Sequence, residues 1–218
     1  TTDKILEDFY GRDTTPRKVE LSQVMTLTAD DVMRVRREAQ GMPITTHILF
    51  DAGQFQRDNI ARKLISAIDG FNQSSRMIYN TARTLGKEQI VVASFAGRVQ
   101  AGENYAHGQA SLEGNIRGWA FIAPGGRQIP MFYPYGDFGS RACGGELAAS
   151  PRYISIELIR TWPLIFPDAD LEILDYNFDE GKRREPKYFV PVIPMACLDN
   201  VQQPAHGWKI NIFARCVR

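Results

Sequence analysis

Gly136-Asp137-Phe138-Gly139-Ser140-Arg141-Ala142-Cys143-Gly144-Gly145-Glu146-Leu147-Ala148-Ala149-Ser150-Pro151-Arg152-Tyr153 is the stretch from which the rest of the chain reads outward. Four glycines stand in its first ten residues, and glycine both permits positive φ and lets other atoms approach the main chain. A run of small residues follows, and then Pro151, whose ring fixes φ. The stretch closes on a guanidinium and a phenol, Arg152 and Tyr153. A phenol is a candidate nucleophile, and an adjacent arginine is suited to hold a phosphate beside it. On these residues alone, Tyr153 reads equally as a surface-loop aromatic with a wet hydroxyl.

The 218 residues suffice for one large domain or two small ones. A hydrophobic share of 44% calls for a packed core rather than disorder. No run of eighteen apolar residues occurs, so no membrane partner is expected. Thr1-Thr2-Asp3-Lys4 has neither a signal-peptide pattern nor a starting methionine, as expected of a piece of a longer protein. Cys143, Cys197 and Cys216 are odd in number and far apart. That spacing suggests neither a disulfide framework nor a zinc site and fits a reducing compartment. The net charge of +1 argues against a simple nucleic-acid binder, although local fields count for more than totals.

Along the chain, Ile5, Leu6, Phe9 and Tyr10 suggest a short helix or strand, and Thr14-Thr15-Pro16 a break. Thr28 to Gln40 reads as a helix, with Thr28 as N-cap and Asp30 and Asp31 in the first turn. Gly41 and Pro43 end it. Helical spacing returns from Asp58 to Ile68, stopped by Asp69-Gly70, and again from Ser75 to Leu85 before Gly86. Val91, Phe95 and Val99 mark a third helix that breaks before Gly102. Gly108 to Ala120 gives a fourth, with Leu112, Ile116, Trp119 and Ala120 on one stripe. Short helices with tight connections are compatible with a helix-turn-helix core, whose wing would be Ala123 to Ile154; many small helical bundles give the same pattern.

Ile154 to Trp162 shows helical spacing again, limited by Pro163. Leu171 to Phe178 is strand-like, and Asp179-Glu180-Gly181-Lys182 is a hairpin turn. Tyr188 to Met195 is β-prone but carries Pro191 and Pro194, which place it at an edge or bulge. Ile210 to Val217 is a further strand candidate. The expected class is therefore α+β.

The string from Phe138 to Ile154 resembles the active-site segment of eukaryotic-type type II DNA topoisomerases, in which the tyrosine of a Pro-Arg-Tyr-Ile motif attacks DNA. The resemblance covers about residues 56 to 208 in ordered blocks. Ile68-Asp69-Gly70-Phe71 with Arg76 is similar to the family's Asp-Gly-Leu-Lys-Pro-Gly-Gln-Arg-Lys. Tyr105-Ala106-His107-Gly108-Gln109 is similar to its Tyr-His-His-Gly-Glu, and Glu185 to Met195 to its Glu-Pro-Glu-Trp-Tyr-Ile-Pro-Ile-Ile-Pro-Met. His206-Gly207-Trp208 matches Thr-Gly-Trp. Departures are Asn72-Gln73 for Lys-Pro, Met77 for a lysine, Ala106 for the first histidine, and Pro204 where the family has an isoleucine wedge. They suggest a distant branch, such as a large DNA virus.

The resemblance implies a connector from an upstream Toprim region over 1–46, a winged-helix DNA-binding and cleavage domain over 47–165, and the start of a mixed α/β tower over 166–218. It implies a DNA topoisomerase whose Tyr153 joins a 5′-phosphate, with Arg152, His107 and Arg76 as catalytic partners. Arg76, His107, Gly139, Ser140, Arg141 and Pro204 would contact DNA, Pro204 as an apolar wedge. The resemblance implies that magnesium is held by an acidic cluster in a separate Toprim domain and ATP by another absent domain, since no phosphate-cradling glycine loop leads into a helix here. Double-stranded DNA is the implied partner and a homodimer the implied full-length state, in the nucleus of a eukaryote or the host cytoplasm for a virus. The alternative is a non-catalytic winged-helix module that keeps the motif as scaffold. Lys182-Arg183-Arg184 has no match and reads as a solvated turn.

Overall fold

The structure is a computed structural model that describes residues 2–22, 29–39, 41–122 and 127–216. The chain forms two compact units, Thr1–Leu64 with Gln202–Ile210, and Ile65–Val201 with Asn211–Arg218.

The first unit is helical: α1 (Thr2–Tyr10), α2 (Thr15–Ser22), α3 (Ala29–Glu38), and a continuous path from α4 (Ile44–Thr46) through a π-turn (His47–Ala52) into α5 (Gly53–Lys63). Asp30 and Asp31 open α3 and Arg36 and Arg37 close it, the order that complements a helix dipole. The expected cap Thr28 and end Gln40 lie outside the described residues. Phe9, Leu21 and Ile48 form the small core, with Ile5, Leu6, Leu49 and Ile60 against it. Arg57 donates to the Glu20 and Leu21 carbonyls at 2.8 and 3.0 Å, occupying acceptors that the end of α2 leaves open. α5 stops at Lys63, with Leu64 extended, short of the expected Ile68. The chain turns there because Asp69 is drawn into the second unit's core.

The second unit comprises α6 (Gln73–Ala82), β1 (Ile90–Val91), α7 (Val92–Glu103), α8 (Gln109–Ala120), β2 (Phe132–Tyr135), β3 (Ser155–Leu158), α9 (Trp162–Ile165), β4 (Tyr176–Asp179) and β5 (Lys182–Pro186). Three helices, α6, α7 and α8, combine with a small antiparallel sheet of order β1-β3-β2 whose first strand lies between α6 and α7, an α+β arrangement of the helix-plus-wing kind. β3 pairs Ile156 with Ile90 and Leu158 with Phe132. The Asn72 side chain caps α6 by accepting from the Ser75 amide at 2.9 Å. The α8 stripe Leu112, Ile116, Trp119 and Ala120 is wholly buried. It meets an aromatic core in which Phe71 touches Tyr79, Trp119, Trp162, Phe166 and Phe189.

Several elements differ from expectation. Ile154 to Leu158 is not helical: Ile154, Ile156 and Leu158 alternate inward on β3, and the helix begins only at Trp162. α7 runs through Gly102 to Glu103 and ends at Asn104 in the left-handed region. The strand expected over Leu171 to Phe178 starts only at Tyr176, behind a 3-10 turn from Asp168 to Glu172. Glu180 and Gly181 both take positive φ, as a two-residue hairpin turn requires. Tyr188 to Met195 is irregular, in keeping with its two prolines. Of the last strand candidate only Ile210 to Ile212 are in a strand, the end of β7 (Trp208–Ile212), which forms a hairpin with β6 (Val201–Ala205); residues 213–216 are irregular. Of the expected wing, residues 123–126 and with them Gly125-Gly126 lie outside the described residues, as does Val217.

Candidate functional site

The quoted stretch folds as a closed loop between β2 and β3. Gly136 sits at φ +105, where a Cβ would meet the Ile154 side chain at 2.9 Å. The Asp137 carboxylate accepts from the Gly139 amide at 2.9 Å, and the Asp137 carbonyl from the Ala149 amide at 2.9 Å. The two ends of the loop are therefore tied together. Gly139, at φ +89, lies so close to Gly145 that a Cβ would stand 2.7 Å from its Cα. The Ser140 carbonyl accepts from the Cys143 and Gly145 amides, each at 3.2 Å. Phe138 is buried and pins the loop to the core.

Ser150 to Tyr153 then forms a turn, with the Tyr153 amide donating to the Ser150 carbonyl at 2.9 Å. This turn is seated on the start of α7. The Val92 and Ala93 amides, unpaired within their own helix, donate to the Ile154 and Pro151 carbonyls at 3.0 and 3.2 Å. Ile154 is fully buried while Tyr153 is 73% exposed. Opposite fates for adjacent residues follow from strand alternation beginning at Ile154. The Arg152 Cζ lies 5.2 Å from the centre of the Tyr153 ring, and both side chains face solvent. A phenol held on a rigid turn, with a guanidinium beside it, can present an oxygen nucleophile to an anionic electrophile.

The other expected site residues are dispersed. Gly139, Ser140 and Arg141 share the loop, the last two exposed. His107 is exposed, one residue before the Gly108 that leads into α8, with its ring edge-on to Tyr105 at 5.4 Å. Pro204 is exposed on β6, in the part of the hairpin that groups with the first unit.

Arg76 stands in the first turn of α6, as its place at a helix start led one to expect, but it is buried rather than exposed to a phosphate. Its Nε donates to Asp69 Oδ2 at 2.9 Å and its Nη2 to the Phe71 carbonyl at 3.1 Å. Asp69, fully buried, also accepts from the Phe71 and Phe189 amides at 2.9 and 3.0 Å. The carboxylate's hydrogen bonds are what make this burial of charge tolerable. Arg184 also departs from the solvated turn: it donates to the Gly102 carbonyl at 2.6 Å and pairs with Asp179 at 3.7 Å.

Sequence reasoning missed the Val92 and Ala93 amides, Asp137 and Asp69. Asp137, two residues before Gly139, is an Asx-turn signal that was open to reading. The two amides carry no sequence signal, because every residue type but proline supplies one.

Comparison with known proteins places this geometry among relatives. A family model for DNA gyrase/topoisomerase IV, describing the A subunit of those enzymes, matches residues 62–216. DNA topoisomerase 2 of African swine fever virus (isolate Tick/Malawi/Lil 20-1/1983) is 33% identical over 213 residues, covering 95% of this chain and 18% of the relative. DNA topoisomerase 2 of Acanthamoeba polyphaga mimivirus is 32% identical over 161 residues, covering 73% and 13%. DNA topoisomerase 2-beta of Mus musculus is 34% identical over 159 residues, covering 72% and 10%. The crystal structure of the Plasmodium falciparum topoisomerase II DNA-binding, cleavage and re-ligation domain shares the fold. It superimposes with a TM-score of 0.84 at 23% identity, over 98% of this chain and 29% of that one. The chain spans less than a fifth of the length of these curated relatives.

Proposed function

Because the chain belongs to the type II DNA topoisomerases, the family that includes DNA gyrase and topoisomerase IV, we propose that it is part of an enzyme that breaks and rejoins duplex DNA, with Tyr153 as its nucleophile. The Tyr153 oxygen attacks a backbone phosphorus, the bond to the 3′-oxygen breaks, and a 3′-hydroxyl leaves with a proton. The phosphate stays on tyrosine as a 5′-phosphotyrosyl ester. Attack by the same 3′-hydroxyl reverses the step, so the ester conserves the bond's free energy for resealing. The observation that supports this reading is the exposure of Tyr153 on a turn anchored at both flanks, at Pro151 and Ile154.

Arg152 supplies charge to the scissile phosphate, where negative charge grows as the nucleophile adds. His107 donates to a phosphate oxygen or orients the phenol. Gly139, Ser140 and Arg141 bring backbone amides and a guanidinium toward the sugar-phosphate chain, and Pro204 presses on the base stack. Arg76 acts at one remove, by fixing the Asp69 turn and with it the start of α6. Among the described residues no group of three or more His, Cys, Asp or Glu is placed to hold a metal. The magnesium that would offset phosphate charge, and ATP, belong in this reading to other parts of the full-length protein. That protein works as a homodimer, in the nucleus or in a viral host's cytoplasm. The 218-residue piece by itself binds duplex DNA weakly and does not cut it. No helix among the described residues is long and apolar enough to cross a membrane.

The test is to trap covalent protein–DNA adducts with denaturant from the full-length protein, magnesium and supercoiled DNA, and to map the linked peptide. Wild type is expected to yield adducts on Tyr153 and the Tyr153→Phe protein none. Adducts that survive the substitution would show that the nucleophile lies elsewhere and leave this chain a non-catalytic DNA-binding module.

A further inference from the structure

Two further phenols stand on the outward face of the sheet beside Tyr153. Residues opposite one another in an antiparallel ladder point to the same side. β2 and β3 set Tyr133 against Glu157 and Tyr135 against Ser155. Phe132, Ile154, Ile156 and Leu158 are buried on the inner side, while Tyr133 and Tyr135 are exposed. Tyr153 stands two residues before Ser155, with buried Ile154 between them. Facing Cα atoms are roughly 4.5–5.5 Å apart and two residues span at most roughly 7 Å, so the Tyr135 Cα lies within about 12 Å of the Tyr153 Cα. Successive base pairs rise roughly 3.4 Å. A duplex seated on Tyr153 therefore carries nucleotides within about four steps of the scissile phosphate past Tyr135, and Tyr133 lies two residues further along β2.

Tyr135 is held in one orientation. Its hydroxyl donates to Glu157 Oε2 at 2.6 Å, a diagonal bond across the two strands. That bond, ahead of desolvation and the charges of Glu157 and Tyr133, holds the phenol above its ordinary value of 10. Tyr135 thus keeps its proton and serves as a donor, not as a second nucleophile. The Glu157 carboxylate repels phosphate, so this part of the face suits sugars and base edges instead. A ring already fixed in place loses little freedom on contact.

We propose that Tyr133 and Tyr135 are specificity-determining contacts, their rings lying against the sugars and base edges that flank the scissile phosphate and so deciding which sequences are cut. The inference rests on the reading of Tyr153 as nucleophile. DNA that must fit two set rings is selected by its base edges and by the cost of deforming it. Glu157 is a positioning residue, acting through Tyr135.

The experiment uses the full-length protein with magnesium and an end-labelled duplex that holds many cleavage sites. Cleavage is trapped with denaturant, the breaks are placed to the nucleotide, and the DNA-linked peptide is mapped. Tyr133→Ala and Tyr135→Ala are expected to change the relative use of the strongest sites at least threefold, with the link still on Tyr153. Tyr135→Phe and Glu157→Ala break the same hydrogen bond, so each should shift the pattern in the same direction, and the two together no further than either alone. Tyr135→Phe keeps the ring and carries the test if an alanine variant fails to fold. A wild-type pattern in the variants, or a fall equal at every site, would overturn the inference while leaving Tyr153 as nucleophile. Wild-type adducts on a different residue would sink the reading beneath it as well.

Discussion

The Ala93 amide, in the first turn of α7, donates to the Pro151 carbonyl across 3.2 Å, two residues before Tyr153. With the Val92 amide on Ile154, it fixes the turn on both sides of the tyrosine. A helix start spends two of its otherwise open donors on holding the candidate nucleophile still.

Arg152→Ala tests the guanidinium beside that phenol. Arg152 is exposed and its contact within the chain is with the Tyr153 ring. We expect cleavage by the full-length protein to fall about a hundredfold, the scale of losing one charge-stabilising donor. The melting midpoint of the 218-residue chain should move by less than about 2 °C, as for ordinary surface substitutions. A collapsed melting transition would instead make Arg152 structural.

Asp69→Ala tests the buried pair. It leaves the Arg76 guanidinium without its carboxylate partner and strips the acceptor from the Phe71 and Phe189 amides. Removing one partner of a buried ion pair costs roughly 3–5 kcal/mol. Urea unfolding should show that loss, and Arg76→Ala a loss of similar size. If Arg76→Ala instead leaves the urea midpoint in place and weakens only DNA binding, its guanidinium serves DNA directly.

Glu103 gives a pH dependence. Burial at the end of α7 pushes its carboxyl above the ordinary value of 4.5, and the neighbouring Glu185 carboxylate pushes it the same way; hydrogen bonds from Asn80 and Thr81 and the charge of Arg184 oppose the shift. The folded chain therefore holds this proton more tightly than the unfolded one. The stability it contributes is complete below the ordinary value and is lost as pH rises through the raised one. Glu103→Gln keeps the shape and cannot ionise. Urea midpoints over a pH series starting near the ordinary value should fall with rising pH more steeply for wild type than for the variant. Parallel curves would mean that Glu103 does not titrate there.

Gly139→Ala should loosen the loop. A side chain at φ +89 is strained by itself, and its Cβ would press on the Gly145 backbone at 2.7 Å. Strain of this kind costs roughly 1–3 kcal/mol. Thermolysin is expected to cut the variant faster between residues 136 and 150 while the buried α8 stripe stays protected. Equal digestion rates would show that the backbone accommodates the methyl.

The helices were legible wherever one periodicity stood alone. Leu112, Ile116, Trp119 and Ala120 fit a helix and nothing else, and all four are buried. The misreading of Ile154 to Trp162 has a physical cause. Ile154, Leu158 and Trp162 recur every four residues, as on a helix, while Ile154, Ile156 and Leu158 recur every two. The first pattern spans two elements by accident; the second is the strand. Within the site, Tyr153 and Arg152 were legible because their motif is contiguous. Pairing of Asp69 with Arg76 and with Phe189, 120 positions away, was not, since nothing local marks such a partner.

α7 is attached by polar bonds at both ends. Its first turn holds the Pro151–Ile154 segment; its far end takes Arg184 on the Gly102 carbonyl, and Asn104 just beyond donates to Asp179 at 2.5 Å. Twelve residues make a rod about 18 Å long. One helix thus carries the tyrosine's turn at its first residues and the β4–β5 ribbon at its last, so a substitution that loosens either attachment bears on a single shared support.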